Sequence, residues 1–188
     1  MDSAILHFPR HLQFSEETFF LLRQVNPGLK MELSVSGDVW VARPQRRLTD
    51  LLLGQLQAYL KSTGPALVFG SSTGFRLPSG AVRSPDAAWV VKERWEALSE
   101  SEQEKFPPLC PDFVVELKSE SDPLRAVQEK MGEWLENGCR LAWLLDPQGQ
   151  KAYGYRPGRP AAEWEGFTQR LSGEDVLPGF ALDLALLR

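Results

Sequence analysis

At 188 residues, 43% hydrophobic and 24% charged, the chain has ordinary globular composition and length enough for one domain with a sizeable core. Its formal charge of −4 excludes a protein that coats nucleic acid by general basicity, while leaving room for a local basic cleft. Cys110 and Cys139 are too few for a disulfide scaffold and lack metal-finger spacing. With no apolar run of membrane-span length and no signal-peptide core around Asp2, His7 and Arg10, a reduced cytoplasmic protein without membrane association is expected.

In chain order, Ser15 caps a first helix with Glu16 and Glu17 in its first turn, and Asn26-Pro27-Gly28 ends it. MELSVSGDVWVARP, from Met31, alternates as two strands of a hairpin around Ser36-Gly37-Asp38. Arg46 to Ser62 spaces Leu48, Leu51, Leu52, Leu56 and Tyr59 as an amphipathic helix. Short strands follow at Ala66 to Phe69, Phe75 to Leu77, Ala81 to Arg83 and Ala87 to Val91, then one or two surface helices between Lys92 and Lys105.

PDFVVELKS, Pro111 to Ser119, reads as a largely buried strand. Alternation places Asp112, Val114, Glu116 and Lys118 on one face and Phe113, Val115 and Leu117 on the other. Glu116 and Lys118 then stand roughly 6–7 Å apart along the strand. A carboxylate and an ammonium at a buried strand end are costly to desolvate unless paired, metal-bound or opening into a cleft.

Asp122 as N-cap and Pro123 at the first position begin the next helix, Leu124, Val127, Met131, Trp134 and Leu135 form its stripe, and Asn137-Gly138 stops it. Leu141 to Leu145 is an apolar strand, beside which Lys151 to Tyr155 can pair. Strand, crossover helix and strand make a parallel βαβ unit, so the class is α/β (α+β): a mixed sheet with helices on its faces. The layout expected is an N-terminal helix and hairpin over 1–45, a core over about 46–156 and a C-terminal extension over 157–188, all within one domain.

SPDAAWVV from Ser84, PDFVVELKSESD, EKMGEWLENGCRLAWLLDP and the YGYRPG hairpin, in this order after MELSVSGDVWV, resemble the PD-(D/E)xK nuclease superfamily. More closely the chain resembles the Uma-type endonucleases, short restriction endonuclease-like proteins of prokaryotes. The resemblance implies that Asp86 is the Asp of the Pro-Asp motif, Glu116 the acidic residue and Lys118 the lysine of (D/E)xK, and Lys130 a helix lysine common in the family. It further implies that Asp86, Glu116 and the Leu117 backbone carbonyl hold Mg²⁺ or Mn²⁺. These are hard oxygen donors of the kind such a cation takes. Lys118 would orient the attacking water and stabilise charge on the phosphate, giving DNA hydrolysis to 5′-phosphate and 3′-hydroxyl ends. A homodimer fits, because double-strand cutters often pair two sites.

Two accessory residues are implied less directly. Glu32 matches the family's early Glu, as an outer ligand or as structure, while the helix from Arg46 carries no Glu. Asp112, a second Asp after proline, ranks below Asp86 because it shares the strand of Glu116.

Taken singly, each residue also has an ordinary reading: Asp86 as a turn-former, Glu116 and Lys118 as an ion pair, Lys130 as a surface lysine. His7 and His11 read as structural or surface residues, Gly70 to Gly74 as a turn, and the tryptophans as core. Arg46, Arg47, Arg83, Arg125 and Lys130 fit either a phosphate-lined cleft or a solvated scatter of charge. Two other classes of function stay open: a catalytically silent nuclease fold that binds nucleic acid or protein, and an interaction protein of the toxin–antitoxin kind.

Overall fold

Two sheets, seen in a computed structural model that describes residues 3–9 and 14–188, bring the Pro-Asp and Glu-x-Lys segments together. His11 lies outside the described residues. The first sheet joins β1 (Ser3–Leu6), β2 (Lys30–Leu33), β3 (Val39–Ala42), β5 (Phe75–Arg76) and β6 (Val82–Arg83) in the order β1-β3-β2-β6-β5, every pair antiparallel. The second takes β4 (Ala66–Gly70), β7 (Ala87–Val91), β8 (Phe113–Leu117), β9 (Leu141–Asp146), β10 (Lys151–Tyr155) and β11 (Ala162–Glu165) in the order β11-β10-β9-β8-β7-β4. Only β8 and β9 pair in parallel there, with α5 (Leu124–Glu136) as their crossover, so the expected βαβ unit is present. The mixed α+β class with helices on the sheet faces is the one the sequence implies.

Each face of the second sheet is covered. On one side α2 (Arg46–Thr63) lays Leu52 and Leu56 against Phe113, Val115, Leu117 and Trp143. The chain after β11 packs into that same layer through Phe167, Leu177, Phe180 and Leu187, so the segment expected as an extension contributes core. On the other side α5 buries Met131 and Trp134 on Val114, Ala142 and Leu144. Truncating a ring such as Trp134 would cost about 3–5 kcal/mol. Phe113, Val115 and Leu117 face one layer and Val114 the other, as strand alternation requires.

Local signals explain the ends of the elements. Ser15 Oγ accepts from Thr18 N at 3.1 Å and caps α1 (Glu16–Gln24). The α5 boundary differs by one residue from expectation. Pro123 is itself the N-cap, and the Asp122 carboxylate instead accepts from Ser119 N at 3.0 Å, closing the turn that leads from β8 into the helix. Gly138, at φ 105°, supplies the left-handed stop. The segment after β7 forms two short helices, α3 (Lys92–Glu96) and α4 (Glu100–Glu104). Among the described residues no helix is long and apolar enough to cross a membrane.

Candidate active site

β7 runs antiparallel to β8, and the pairing of Ala87 with Val115 sets Asp86 beside Glu116. Asp86 Oδ2 accepts from Leu117 N at 2.8 Å, which ties the Pro-Asp turn to the end of β8. Glu116 Oε1 accepts from Trp134 Nε1 at 3.0 Å and lies 2.8 Å from Lys130 Nζ, both on α5. Trp134 is thus a core residue whose one polar atom holds a site carboxylate. The other two oxygens, Asp86 Oδ1 and Glu116 Oε2, converge on the ammonium of Lys30, at 3.1 and 3.2 Å.

Lys30 comes from the first sheet. In β2, Met31 and Leu33 face α1 and Phe19, so Lys30 and Glu32 share the opposite face, toward β8. Glu32 Oε1 lies 2.7 Å from Lys130 Nζ and accepts from Ser84 N at 2.9 Å, while Arg83 Nη1 stands 3.5 Å from Glu32 Oε2. Arg83 Nε donates to Glu133 at 2.7 Å. Three carboxylates, Glu32, Asp86 and Glu116, therefore meet three cations, Lys30, Arg83 and Lys130, in one network, to which Glu133 adds a fourth carboxylate through Arg83.

The network is buried: Glu116 is 2% exposed, Asp86 and Glu32 3%, and Lys30 9%. Burial alone would raise the pKa of Glu32, but Lys130, Lys30 and Arg83 outweigh it and bring the carboxyl down to about 2. For Lys30 burial acts downward, and the charges of Asp86, Glu116 and Glu32 overcome it, holding the ammonium above its usual range.

A pocket of about 300 Å³ opens onto this floor. One wall is the first-sheet face, where the register aligns Ile5, Trp40 and Glu32 across β1, β3 and β2. The facing wall is α5, through Pro123, Ala126 and Val127.

Of the residues expected at the site, Asp86, Glu116, Glu32 and Lys130 are brought together and Lys118 is not. Lys118 Nζ donates to Ser119 O at 3.1 Å and lies 3.8 Å from Asp146 Oδ2. Alternation does keep Lys118 on the face of Glu116. It leans over β9, however, and Asp86 lies on the other side of β8. Asp112 is also a correction. It stands at the opposite end of β8, where its carboxylate accepts from Val91 N at 3.0 Å and pairs with Arg94 at 2.7 Å, fastening the start of α3. The Leu117 carbonyl accepts from Gln45 Nε2 at 3.3 Å.

Of the remaining basic candidates, Arg83 joins the network, Arg125 pairs with Glu129 on the exposed side of α5, and Arg47 reaches the Arg188 carbonyl. His7 is exposed and bonds Asp38 at 2.9 Å. Lys30 is absent from the site the sequence implies, and Arg83 enters it there only as a cleft candidate. A signal was present for Lys30, since Lys30 and Glu32 are charged neighbours two apart in an otherwise apolar strand.

The donor set suits a hard divalent cation in type: two carboxylate oxygens, Asp86 Oδ1 and Glu116 Oε2, face one point. That point is held by the Lys30 ammonium, a positive charge standing in for the ion.

A family model described as "Uma2: Putative restriction endonuclease" matches residues 16–185. Among solved structures, the chain is similar to a protein from Anabaena variabilis described as a putative nuclease belonging to DUF820. The two are 17% identical over 93% of this chain and 97% of that one, with a TM-score of 0.75, which shows a shared fold. No curated protein matches the chain.

Proposed function

The chain belongs to the Uma2 family, and on that premise we propose that it is a nuclease that hydrolyses DNA phosphodiesters with Mg²⁺ or Mn²⁺ at the Asp86–Glu116 site. The observation that carries this reading is the convergence of Asp86 Oδ1 and Glu116 Oε2 on one cation position at the floor of a pocket. Each carboxylate is aimed by its other oxygen, Asp86 by Leu117 N and Glu116 by Trp134 Nε1 and Lys130. These bonds fix the direction of each carboxylate before an ion arrives.

Asp86, Glu116 and the Leu117 carbonyl would hold the ion, Gln45 giving up its bond to that carbonyl. The bound ion would supply Lewis acidity toward the phosphate and a lowered pKa for water. A divalent ion in that position would carry one more positive charge than the Lys30 ammonium it displaces, which favours the approach of an anionic phosphodiester. Lys130, held by Glu32 and Glu116, takes the role first expected of Lys118 and pairs with the charge that builds on the phosphate. As the bond from water oxygen to phosphorus forms, the bond to the 3′-oxygen breaks. The proton lost by the water is matched by the one the leaving oxygen gains, and the ends are 5′-phosphate and 3′-hydroxyl.

One observation favours a second reading, a nuclease fold that binds without cutting: the Lys30 ammonium already holds the cation position between Asp86 and Glu116. Calorimetric titration with Mn²⁺ separates the two. The nuclease reading expects binding that Asp86→Asn abolishes; wild type that binds no divalent ion, with or without DNA, would leave the silent fold.

A further inference from the structure

We propose that the pocket above the cluster takes one unpaired nucleotide, so that the substrate is a single-stranded DNA end or flap rather than a continuous duplex. The inference rests on the nuclease reading and names its substrate class. Its first support is access. The carboxylates that would act on the phosphate are 2% and 3% exposed, and the way to them is a pocket of about 300 Å³ walled on two sides. That volume is at the low end of small-ligand pockets. A stiff duplex, with its bases stacked and its strands paired, presents no single phosphate on a stem thin enough to pass between β3 and α5. Extruding a nucleotide from a duplex costs roughly a few kcal/mol, a cost an unpaired strand does not meet.

The second support is the chemistry of the walls. Trp40 lines the pocket, half-buried, directly across the register from Glu32. The guanidinium of Arg83 lies over its ring at 5.6 Å, so the indole is anchored by a residue of the charged network itself. An anchored aromatic beside a phosphate-handling site is how single strands are held, because every base has a face to stack. Ala42, Ala126 and Val127 add small apolar groups to the walls, beside the polar Gln45, Ser119 and Ser121, so a base has both apolar surface and hydrogen-bonding groups within the pocket. Arg43, exposed where it lines the pocket, is placed for the next phosphate along the strand.

The test is fluorescence anisotropy with a labelled single-stranded oligonucleotide, a blunt hairpin duplex of the same sequence and the duplex with a single-stranded overhang. Binding is read in EDTA and in Ca²⁺, for wild type, Trp40→Ala and Trp40→Phe. Expected is binding of the single strand and the overhang at least about tenfold tighter than the blunt duplex. Trp40→Ala should weaken strand binding about tenfold and leave duplex binding unchanged, with Trp40→Phe restoring most of it. Equal or tighter binding of the blunt duplex, no binding of the single strand in either buffer, or an equal loss on all three DNAs in Trp40→Ala would overturn the proposal. Cleavage of the same DNAs in Mn²⁺ keeps the two readings apart. Strand preference without cleavage removes the nuclease and keeps the pocket assignment, whereas cutting within the blunt duplex keeps the nuclease and removes the assignment.

Discussion

Lys30 Nζ lies 3.1 Å from Oδ1 of Asp86, both side chains almost fully buried, at the position a cation shared by Asp86 and Glu116 would take. A lysine so placed makes the ion-free cluster self-sufficient and obliges any divalent ion to compete with it. Lys30→Met should therefore lower stability in EDTA by about 3–5 kcal/mol, by leaving buried carboxylates unpaired. Mn²⁺ should recover most of that loss, raising the melting temperature of the variant more than that of wild type. Thermal unfolding with and without Mn²⁺ checks this; an equal rise in the two proteins would contradict a shared position.

Lys130 and Lys118 make a second comparison. Lys130 Nζ is 2.8 Å from Glu116, whereas Lys118 lies 3.8 Å from Asp146 across β9. Lys130→Met should reduce cleavage by about 10²-fold or more, the scale for removing a charge that stabilises the transition state. Lys118→Ala should stay within about tenfold of wild type. Initial rates on one substrate decide it, and the reverse order would return the role to Lys118.

What the sequence showed of this site follows from what alternation can and cannot encode. The Asp86 and Glu116 strands were readable because apolar periodicity sets their faces and caps set the helix between β8 and β9. Periodicity fixes a face but not a sideways direction, so Lys118 could not be told from a residue leaning toward Asp86. Lys30 stayed hidden, and Arg83 unassigned to a partner, because both contacts depend on the first sheet packing its Lys30–Glu32 face over the end of β8, a contact no local pattern writes. The Asp122 cap moved by one residue because its carboxylate found Ser119 N first.

Glu32 gives the protein a pH signature. Its carboxyl, ordinarily at 4.5, falls to about 2 in the fold, so its contribution is fully present above about pH 4.5 and disappears as pH falls toward 2. Lys30, raised above its usual 10.5, contributes fully below that value and loses its contribution as pH rises through its folded value. In urea unfolding, Glu32→Gln should be less stable than wild type at pH 7 by an amount on the order of 3 kcal/mol. The gap should close between pH 4.5 and 2. A gap independent of pH would mean Glu32 acts through packing alone.

Asp112→Ala tests the separation of the two ends of β8. Removing the carboxylate leaves Val91 N without its acceptor and frees Arg94, a loss of about 1–3 kcal/mol. Chemical denaturation should show that loss, and cleavage per folded molecule should be unchanged. A fall in cleavage of folded protein would put Asp112 back in the site.

The most direct measurement is cleavage of plasmid, single-stranded, branched and nicked DNA by wild type, Asp86→Asn and Glu116→Gln, with Mg²⁺, Mn²⁺ or EDTA. The site predicts products with 5′-phosphate ends from wild type in metal only, and rates at least about 10²-fold lower in both variants. Cleavage that survives both substitutions, or that proceeds in EDTA, would contradict it.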